Sequence, residues 1–458
     1  MIKHAVALLA GSCLLAAAQN SSADALTLAQ AVERASKNYP SVHVSQEQID
    51  AASASIRLAR TAYLPRIDGV AQVNRATRNN IFGMLLPQNV IPAISGPVLG
   101  TNNFGSAWGS AIGGLVSWEP FDFGLRQANI STAESARTQS EATLRRTEFE
   151  VAAATADSYL TLVAAQQTVR AAQAGVDRAE TLLRTTNAVV NAQLRPGADS
   201  SRAEAELAAA RTQLIQARQA VEVARATLAQ FVSEDPAHIA VISDGLLHLP
   251  PDAPPATADF NTNPFTAEQN ATLEQAKAQL RVLERSYFPK FYLQAAVYSR
   301  GTGAELDGGR LGGLNGLAPN VQNYAIGFSV TFPVMDLVSI HAREAAQSAT
   351  IRAQAARSDQ IIAELRGRWN VALAQLRGAR DIAVNTPVQI SAARAASQQA
   401  TARYESGLGT IDQVAEAQRL LTQAEIDDAL AHLGVWRGLL GLATAAGDLQ
   451  PFLSEASK

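Results

Sequence analysis

Cysteine is almost missing from this 458-residue chain: the single Cys13 excludes a disulfide framework and any multi-cysteine zinc or iron–sulfur site. Aromatic residues make up only 5% and charged residues 17%, although 47% of positions are apolar. The apolar mass is therefore small side chains, with about a fifth of all positions alanine. Such a composition lets helices approach closely and leaves little bulk for a thick globular core; it reads as long, thin, packed helices. An excess of charge is lacking too, since 38 Lys and Arg against 41 Asp and Glu leave a net charge of −3, which disfavours a nucleic-acid partner. Beyond Ala25 no run of 18 apolar residues occurs, so no helix is expected to span a bilayer, and membrane insertion would have to use strands.

Catalytic patterns are equally scarce. His43, His238, His248, His341 and His432 fall on different elements with no metal-ligand spacing, and no Ser/His/Asp arrangement or phosphate loop appears. The glycine-rich Gly308-Gly309-Arg310-Leu311-Gly312-Gly313 lies between two strand signals and not before a helix, so it reads as a loop. No enzyme, metal site or cofactor is expected.

What is present begins with Lys3 and the apolar stretch Ala5 to Ala18, followed by small-x-small sites at Ala16-Ala17-Ala18 and Ala23-Asp24-Ala25. This is a secretory signal peptide over residues 1–25, with cleavage open between the two sites. Cys13 behind Ala10-Gly11-Ser12 loosely resembles a lipoprotein box and leaves lipidation open.

From Gln127 to Gln193 there is no proline and one glycine, Gly175, among good helix formers. Val169, Ala172, Val176, Ala179, Leu183, Thr186 and Val190 step by 3 and 4 alternately, the heptad seam of coiled-coil packing, and so do Ile362, Leu365, Trp369, Ala372, Leu376, Ala379 and Ala383. Each long helix ends at a glycine-containing break, Arg195-Pro196-Gly197 or Ser406-Gly407-Leu408-Gly409, and a return helix follows to about Phe231 or Ala446. Ser200 or Ser201, and Thr410, are placed to cap the return arms. Strand signals come in pairs: 67–74 with 107–121, and 291–299 with 321–332. Ile326, Phe328, Val330 and Phe332 share one face, a lipid-facing stripe.

The two halves match. Ala62-Tyr63-Leu64-Pro65-Arg66 aligns with Ser286-Tyr287-Phe288-Pro289-Lys290 at an offset of 224, Pro120-Phe121-Asp122 with the Val334-Met335-Asp336 neighbourhood at 214, and Gly197 with Gly409 at 212. A duplicated unit is expected over residues 26–231 and 266–447, joined by a proline-rich linker at 232–265 and followed by a tail at 448–458. Four strands cannot close a membrane barrel, so the chain must oligomerise; two copies would give eight strands and three would give twelve.

These residues together resemble the TolC-like outer membrane factors. The resemblance is carried by Leu26-Thr27-Leu28-Ala29-Gln30-Ala31-Val32-Glu33-Arg34-Ala35 with Asn38-Tyr39-Pro40, by Tyr63-Leu64-Pro65 and Tyr287-Phe288-Pro289, by Ser117-Trp118-Glu119-Pro120-Phe121-Asp122-Phe123-Gly124, and by Arg403-Tyr404-Glu405-Ser406-Gly407 with Glu416-Ala417-Gln418-Arg419. It implies a mainly α fold with membrane β: duplicated helical hairpins forming a periplasmic α-barrel, and four strands per protomer in a shared 12-stranded β-barrel. It also implies a homotrimer in the bacterial outer membrane, serving a tripartite efflux pump or type I secretion system beside a periplasmic adaptor and an inner-membrane transporter. An alternative from another class is a periplasmic adaptor or coiled-coil scaffold, which membrane fractionation would separate.

By the same resemblance, Arg195, Pro196, Gly197, Ala198 and Ser200 with Gly407, Leu408, Gly409 and Thr410 form adaptor-docking tips; they equally suit a turn. Asp412 and Glu416, four apart on one helix face, would form an acidic ring at the periplasmic aperture or a solvated face paired with Arg419, and Ala415 stands where some relatives carry acid. Trp118, Phe121, Phe123, Phe288, Phe291 and Tyr292 sit where strand meets helix, as membrane-interface aromatics facing lipid or as packing of the junction.

Overall fold

Heptad seams long enough to bury alanine and leucine along their whole length dictate two helical hairpins. The structure, a computed structural model, describes residues 25–77, 105–252, 258–305 and 309–458. The expected signal peptide with Cys13 lies outside the described residues up to residue 24, and so does Gly308 of the glycine-rich stretch.

The chain opens with α1 (Leu28–Asn38) and α2 (Pro40–Thr61). Thr27 caps α1 through a reciprocal box with Gln30, and Pro40 starts α2 at the position where a missing N–H costs nothing. Strands β1 (Arg66–Thr77) and β2 (Ser106–Trp118) follow, then α3 (Leu125–Asn191) and α4 (Gly197–Val232). After two short 3-10 turns, the second half runs α5 (Pro264–Arg285), β3 (Lys290–Thr302), β4 (Val321–Thr331), α6 (Asp336–Glu405), α7 (Ile411–Ala446) and the short α8 (Gln450–Ala456). The 67 residues of α3 and 70 of α6 make rods of roughly 100 Å.

Both seams pack as their spacing demands. Ala172, Val176 and Ala179 of α3 are buried against Leu207, Leu214 and Ala217 of α4, and Thr186 is buried further along; Leu365, Ala372, Leu376 and Ala383 of α6 are buried, with Ala431, Val435 and Leu442 of α7 packed beside the last three. The α6 seam continues through Thr386, Ala393 and Ser397 to Tyr404, all buried. Helix α7 has an 18-residue stretch apolar enough to cross a membrane, which a search for an unbroken apolar run does not find; half of that stretch is buried, and Leu433, Trp436 and Leu440 belong to the main core.

Two local expectations need correction. Thr410 caps α7 through a box with Gln413, but neither Ser200 nor Ser201 caps α4, whose N-cap is Pro196. The first break turns on Gln193 (φ 57°) and not on Gly197, while Gly407 (φ 79°) turns the second. A proline ahead of Gly197 already supplies the extended entry that a cap residue needs, so the helix starts three residues before the serines.

The four strands form one antiparallel sheet in the order β1-β2-β3-β4, so the β2–β3 pair joins the two halves of the chain. In register, Ile67, Gly69 and Ala71 lie opposite Val116, Gly114 and Ile112; these lie opposite Ala295, Val297 and Ser299, and Leu293, Ala295 and Val297 lie opposite Phe328, Ile326 and Tyr324. One face is thus almost wholly apolar, and it is the exposed one: Tyr324 is 81% and Ile326 73% accessible. The other face, carrying Asp68, Gln72, Gln294 and Ser329, is shielded, with Gln294 and Ala296 buried. That inverts the arrangement of a sheet in water and matches a membrane strand of about 9–11 residues.

Candidate functional site

At the far end of the hairpins the two turns are tied together. Arg195, half-buried, extends from the first turn over the Tyr404 ring, 4.9 Å from its centroid. Its Nη2 donates to the backbone oxygens of Tyr404 (3.3 Å) and Gly409 (3.0 Å) in the second. The Tyr404 hydroxyl returns to the first hairpin, 3.2 Å from Asp199 Oδ2 and 3.5 Å from Thr186 Oγ1. Burial holds this phenol above its usual range, opposed by the Thr186 hydrogen bond and reinforced by the Asp199 carboxylate.

The expected tip residues therefore divide. Arg195 and Gly409 are turned into the joint between the hairpins, and Ser200 donates to Asn187 (2.5 Å). Pro196, Gly197, Ala198, Gly407, Leu408 and Thr410 are exposed. Leu194, which the sequence reading did not single out, matches Leu408 across the repeat; the two are 75% and 74% accessible. Asp199 gave no signal, Thr186 stood out only as a seam position, and Tyr404 was in view only through the Arg403-Tyr404-Glu405 motif.

The two acids lie on the exposed face of α7, and each has a cationic partner: Arg202 Nε is 3.1 Å from Asp412, and Arg419 Nη2 is 2.5 Å from Glu416. Glu206 sits between these arginines, 3.0 Å from Arg202 and 3.9 Å from Arg419, so the constellation is a chain of alternating charge. Above it, a groove of about 550 Å³ opens between α3 and α6, lined by Asp177, Thr181, Gln398, Thr401 and Glu405.

At the other end, the aromatics collect where sheet meets rod. Phe121 and Phe123 are 4.6 Å apart, Phe123 stacks on Phe288 at 5.0 Å, and Phe291 touches both Phe121 (6.0 Å) and Phe123 (5.9 Å). Trp118 donates through Nε1 to the Tyr63 carbonyl at 3.1 Å. Tyr292 lies on the shielded face of β3, two residues before Gln294, and so not on the face of Phe291 and Leu293. The sequence reading left lipid and packing open; half-buried Phe123 stacks on Phe288 at the junction, whereas Phe121 and Phe288 themselves are 53% and 38% accessible.

A buried ion pair fixes this junction. Asp122 Oδ2 accepts from the Arg126 backbone N–H at 2.6 Å and from its Nε at 2.9 Å, and the guanidinium lies 4.6 Å over the Tyr63 ring while donating to the Ala62 carbonyl. Burial alone would raise the Asp122 carboxyl; the Arg126 backbone and side chain and the Gly124 N–H outweigh it and hold it below the usual carboxylate range. Phe123 (φ 51°) and Gly124 (φ 87°) both turn left-handed to redirect the chain from β2 into α3.

No curated protein matches the chain. Among solved structures, it is similar to the outer-membrane channel OprN at 21% identity, covering 92% of this chain and 89% of that one, with a TM-score of 0.70. It is likewise similar to the Campylobacter jejuni CmeC outer membrane channel (17% identity, 94% and 89% covered, TM-score 0.70) and to the outer membrane protein VceC of Vibrio cholerae (16%, 92% and 96%, 0.69). These likenesses confirm the fold: rods of paired helices attached to a small antiparallel sheet. The periplasmic adaptor or scaffold alternative is not favoured by them. The sequence pattern of the outer membrane efflux proteins matches residues 31–233 and 261–448, and the chain belongs to that family, residing as an efflux channel in the outer membrane.

Proposed function

We propose that three copies of this chain close a single 12-stranded barrel in the outer membrane and continue it as a hollow helical duct across the periplasm. Substrates handed over by an inner-membrane transporter and a periplasmic adaptor leave through it passively. The observation that carries this reading is the sheet: its apolar face is exposed, its polar face is shielded, and among the described residues β1 and β4 each leave one edge unpaired. An open edge is not tolerated in lipid, so neighbouring copies must complete the ladder.

In this reading residues 26–231 and 266–447 are two repeats of one wall element, 232–265 is the strap between them, and 448–458 is a tail. The exposed tips, with Leu194 and Leu408 as apolar prongs, dock the adaptor, and Asp412 and Glu416 bias the aperture towards cations. The chain does no chemistry; its work is to open and shut.

The test is single-channel conductance in a planar bilayer, with the oligomer mass determined in the same detergent. Discrete cation-selective steps from a trimer are expected, whereas a silent monomer overturns the reading.

A further inference from the structure

Within one chain, the end of β2 and the start of β3 are held by an aromatic joint, and the duplication supplies a second, unmated set of the same positions. Residues Trp118 to Val232 map onto Phe332 to Ala446 at the offset of 214 that the Pro120-Phe121-Asp122 match sets, and the helix bounds at both turns keep it, so Gly197 pairs with Ile411 and not with Gly409 as the sequence suggests. Buried Ala172, Val176 and Ala179 fall on Thr386, Ile390 and Ala393, and buried Leu207, Ala217 and Val221 on Leu421, Ala431 and Val435. Phe121 and Phe123 then correspond to Met335 and Leu337. By the Tyr63-Leu64-Pro65 match, Phe288 and Phe291 correspond to Leu64 and Ile67.

Each of the four is more exposed than its equivalent, Phe121 being 53% and Phe288 38% accessible and Phe123 and Phe291 half-buried. Met335 is 85%, Leu337 40%, Leu64 67% and Ile67 72% accessible. They lie on opposite edges of the sheet, Leu64 and Ile67 at β1 and Met335 and Leu337 beyond β4, so no curl of one chain joins them while β2 and β3 stand between. We infer that Met335 and Leu337 of one copy seat on Ile67 and Leu64 of the next, reproducing between chains the Phe121–Phe291 and Phe123–Phe288 contacts found within one. This rests on the barrel proposed above and names its joint.

The strand register transfers consistently. Val116 opposite Ala295 and Gly114 opposite Val297 become Val330 opposite Ala71 and Phe328 opposite Val73 of the neighbour. Every residue in these pairs belongs to the apolar face, as it must, because a slip of one residue would turn half of them into the lumen. Two elements do not transfer. Phe123 and Gly124 turn left-handed ahead of α3, which starts at Leu125, whereas α6 already starts at Asp336 and Leu337 lies in its first turn. Ile340 stands where Arg126 stands, so Asp336, the counterpart of Asp122, has no arginine one turn on. The joint between copies is therefore apolar, without the buried ion pair that fixes the internal one.

Because each copy offers a β4 end to one neighbour and a β1 start to the other, the contact is head-to-tail and closes only as a ring. The test is cysteine cross-linking of the full-length protein carrying both Leu64→Cys and Leu337→Cys, oxidised in membranes. Covalent dimers that proceed to covalent trimers are expected, with each single variant staying monomeric on denaturing gels. An internal control, Phe123→Cys with Phe288→Cys, should cross-link without gaining mass. If the protein runs as a trimer in detergent and the internal control closes, but the Leu64/Leu337 pair does not cross-link, this joint is overturned and the barrel stands; a monomer in detergent overturns both. Cross-linking that stops at dimers overturns the head-to-tail ring.

Discussion

Arg195 of the first hairpin caps the end of the second, lying 4.9 Å over the Tyr404 ring and donating to the Gly409 carbonyl at 3.0 Å. A cation–π contact with hydrogen bonds to two carbonyls is worth about 2 kcal/mol when half-buried. Arg195→Ala should free the tips from one another and raise the open fraction of the reconstituted channel roughly tenfold. Single-channel recording reads this directly, and an unchanged open fraction would show that the tie does not hold the aperture.

Neutralising the acids should do more than abolish selectivity. Asp412 and Glu416 each compensate an arginine, Arg202 and Arg419. Asp412→Asn with Glu416→Gln leaves those cations facing the same surface, so the reversal potential in a salt gradient should move from cation preference towards anion preference. A reversal potential that does not move would remove these residues from the conduction path.

Two glycines of α7 make a paired test of the second seam. A methyl at Gly438 would sit 2.8 Å from the Leu376 Cα, a backbone atom that cannot step aside, whereas one at Gly434 would meet the Ala379 Cβ at an ordinary 3.7 Å. Gly438→Ala should cost about 1–3 kcal/mol through overpacking, and Gly434→Ala should gain up to ~1 kcal/mol from helix propensity. Thermal unfolding of the two variants should shift in opposite directions.

Tyr159 is fully buried, its hydroxyl 2.8 Å from the Leu26 carbonyl and 2.6 Å from that of Ile242, while the Ile242 N–H donates to it at 3.0 Å. Burial pushes the phenol up to about 12, so it stays a neutral donor throughout physiological pH. Tyr159→Phe leaves the Ile242 carbonyl without this donor, while the Ile242 N–H keeps the Leu26 carbonyl at 3.1 Å; the loss should cost about 1–3 kcal/mol, measurable as a lower denaturation midpoint with unchanged helix content.

The Asp122–Arg126 pair makes the junction acid-sensitive. The folded carboxyl is held below its ordinary value, so its contribution is complete above that value and is lost as pH falls through the folded one. Asp122→Asn should therefore be less stable than the unaltered protein at pH 7, and the difference should shrink at pH 3. A gap that is constant with pH would assign the loss to packing alone.

Periodicity made the rods readable because their seams are local: a residue and its neighbours three and four along decide the buried face. The strands were plain as pairs though not at their ends, since the second signal ran to residue 121 and the strand stops at Trp118; the sharing of one face by Ile326, Phe328 and Val330 foretold the exposed stripe. What the sequence did not reveal was contact between distant segments. Nothing local to Arg195 indicates that it reaches Tyr404, and nothing local to β2 says that its second neighbour is β3. Turn chemistry misled where two signals competed: Ser200 and Ser201 looked like caps, but Pro196 had already set the helix start, and Gln193, a residue without special licence for positive φ, makes the bend.

The outward greasy face of the sheet also dictates an order of events during biogenesis. A newly exported chain crosses an aqueous compartment with Tyr324, Ile326, Phe328 and Ile67 bare and two ladder edges open. It is an aggregation template until both edges and that face are covered. The rods can fold alone in water, since their seams close within one chain. On the proposed trimer, the strands have no home until lipid and sister copies arrive together, which makes assembly and insertion one step for this half of the molecule.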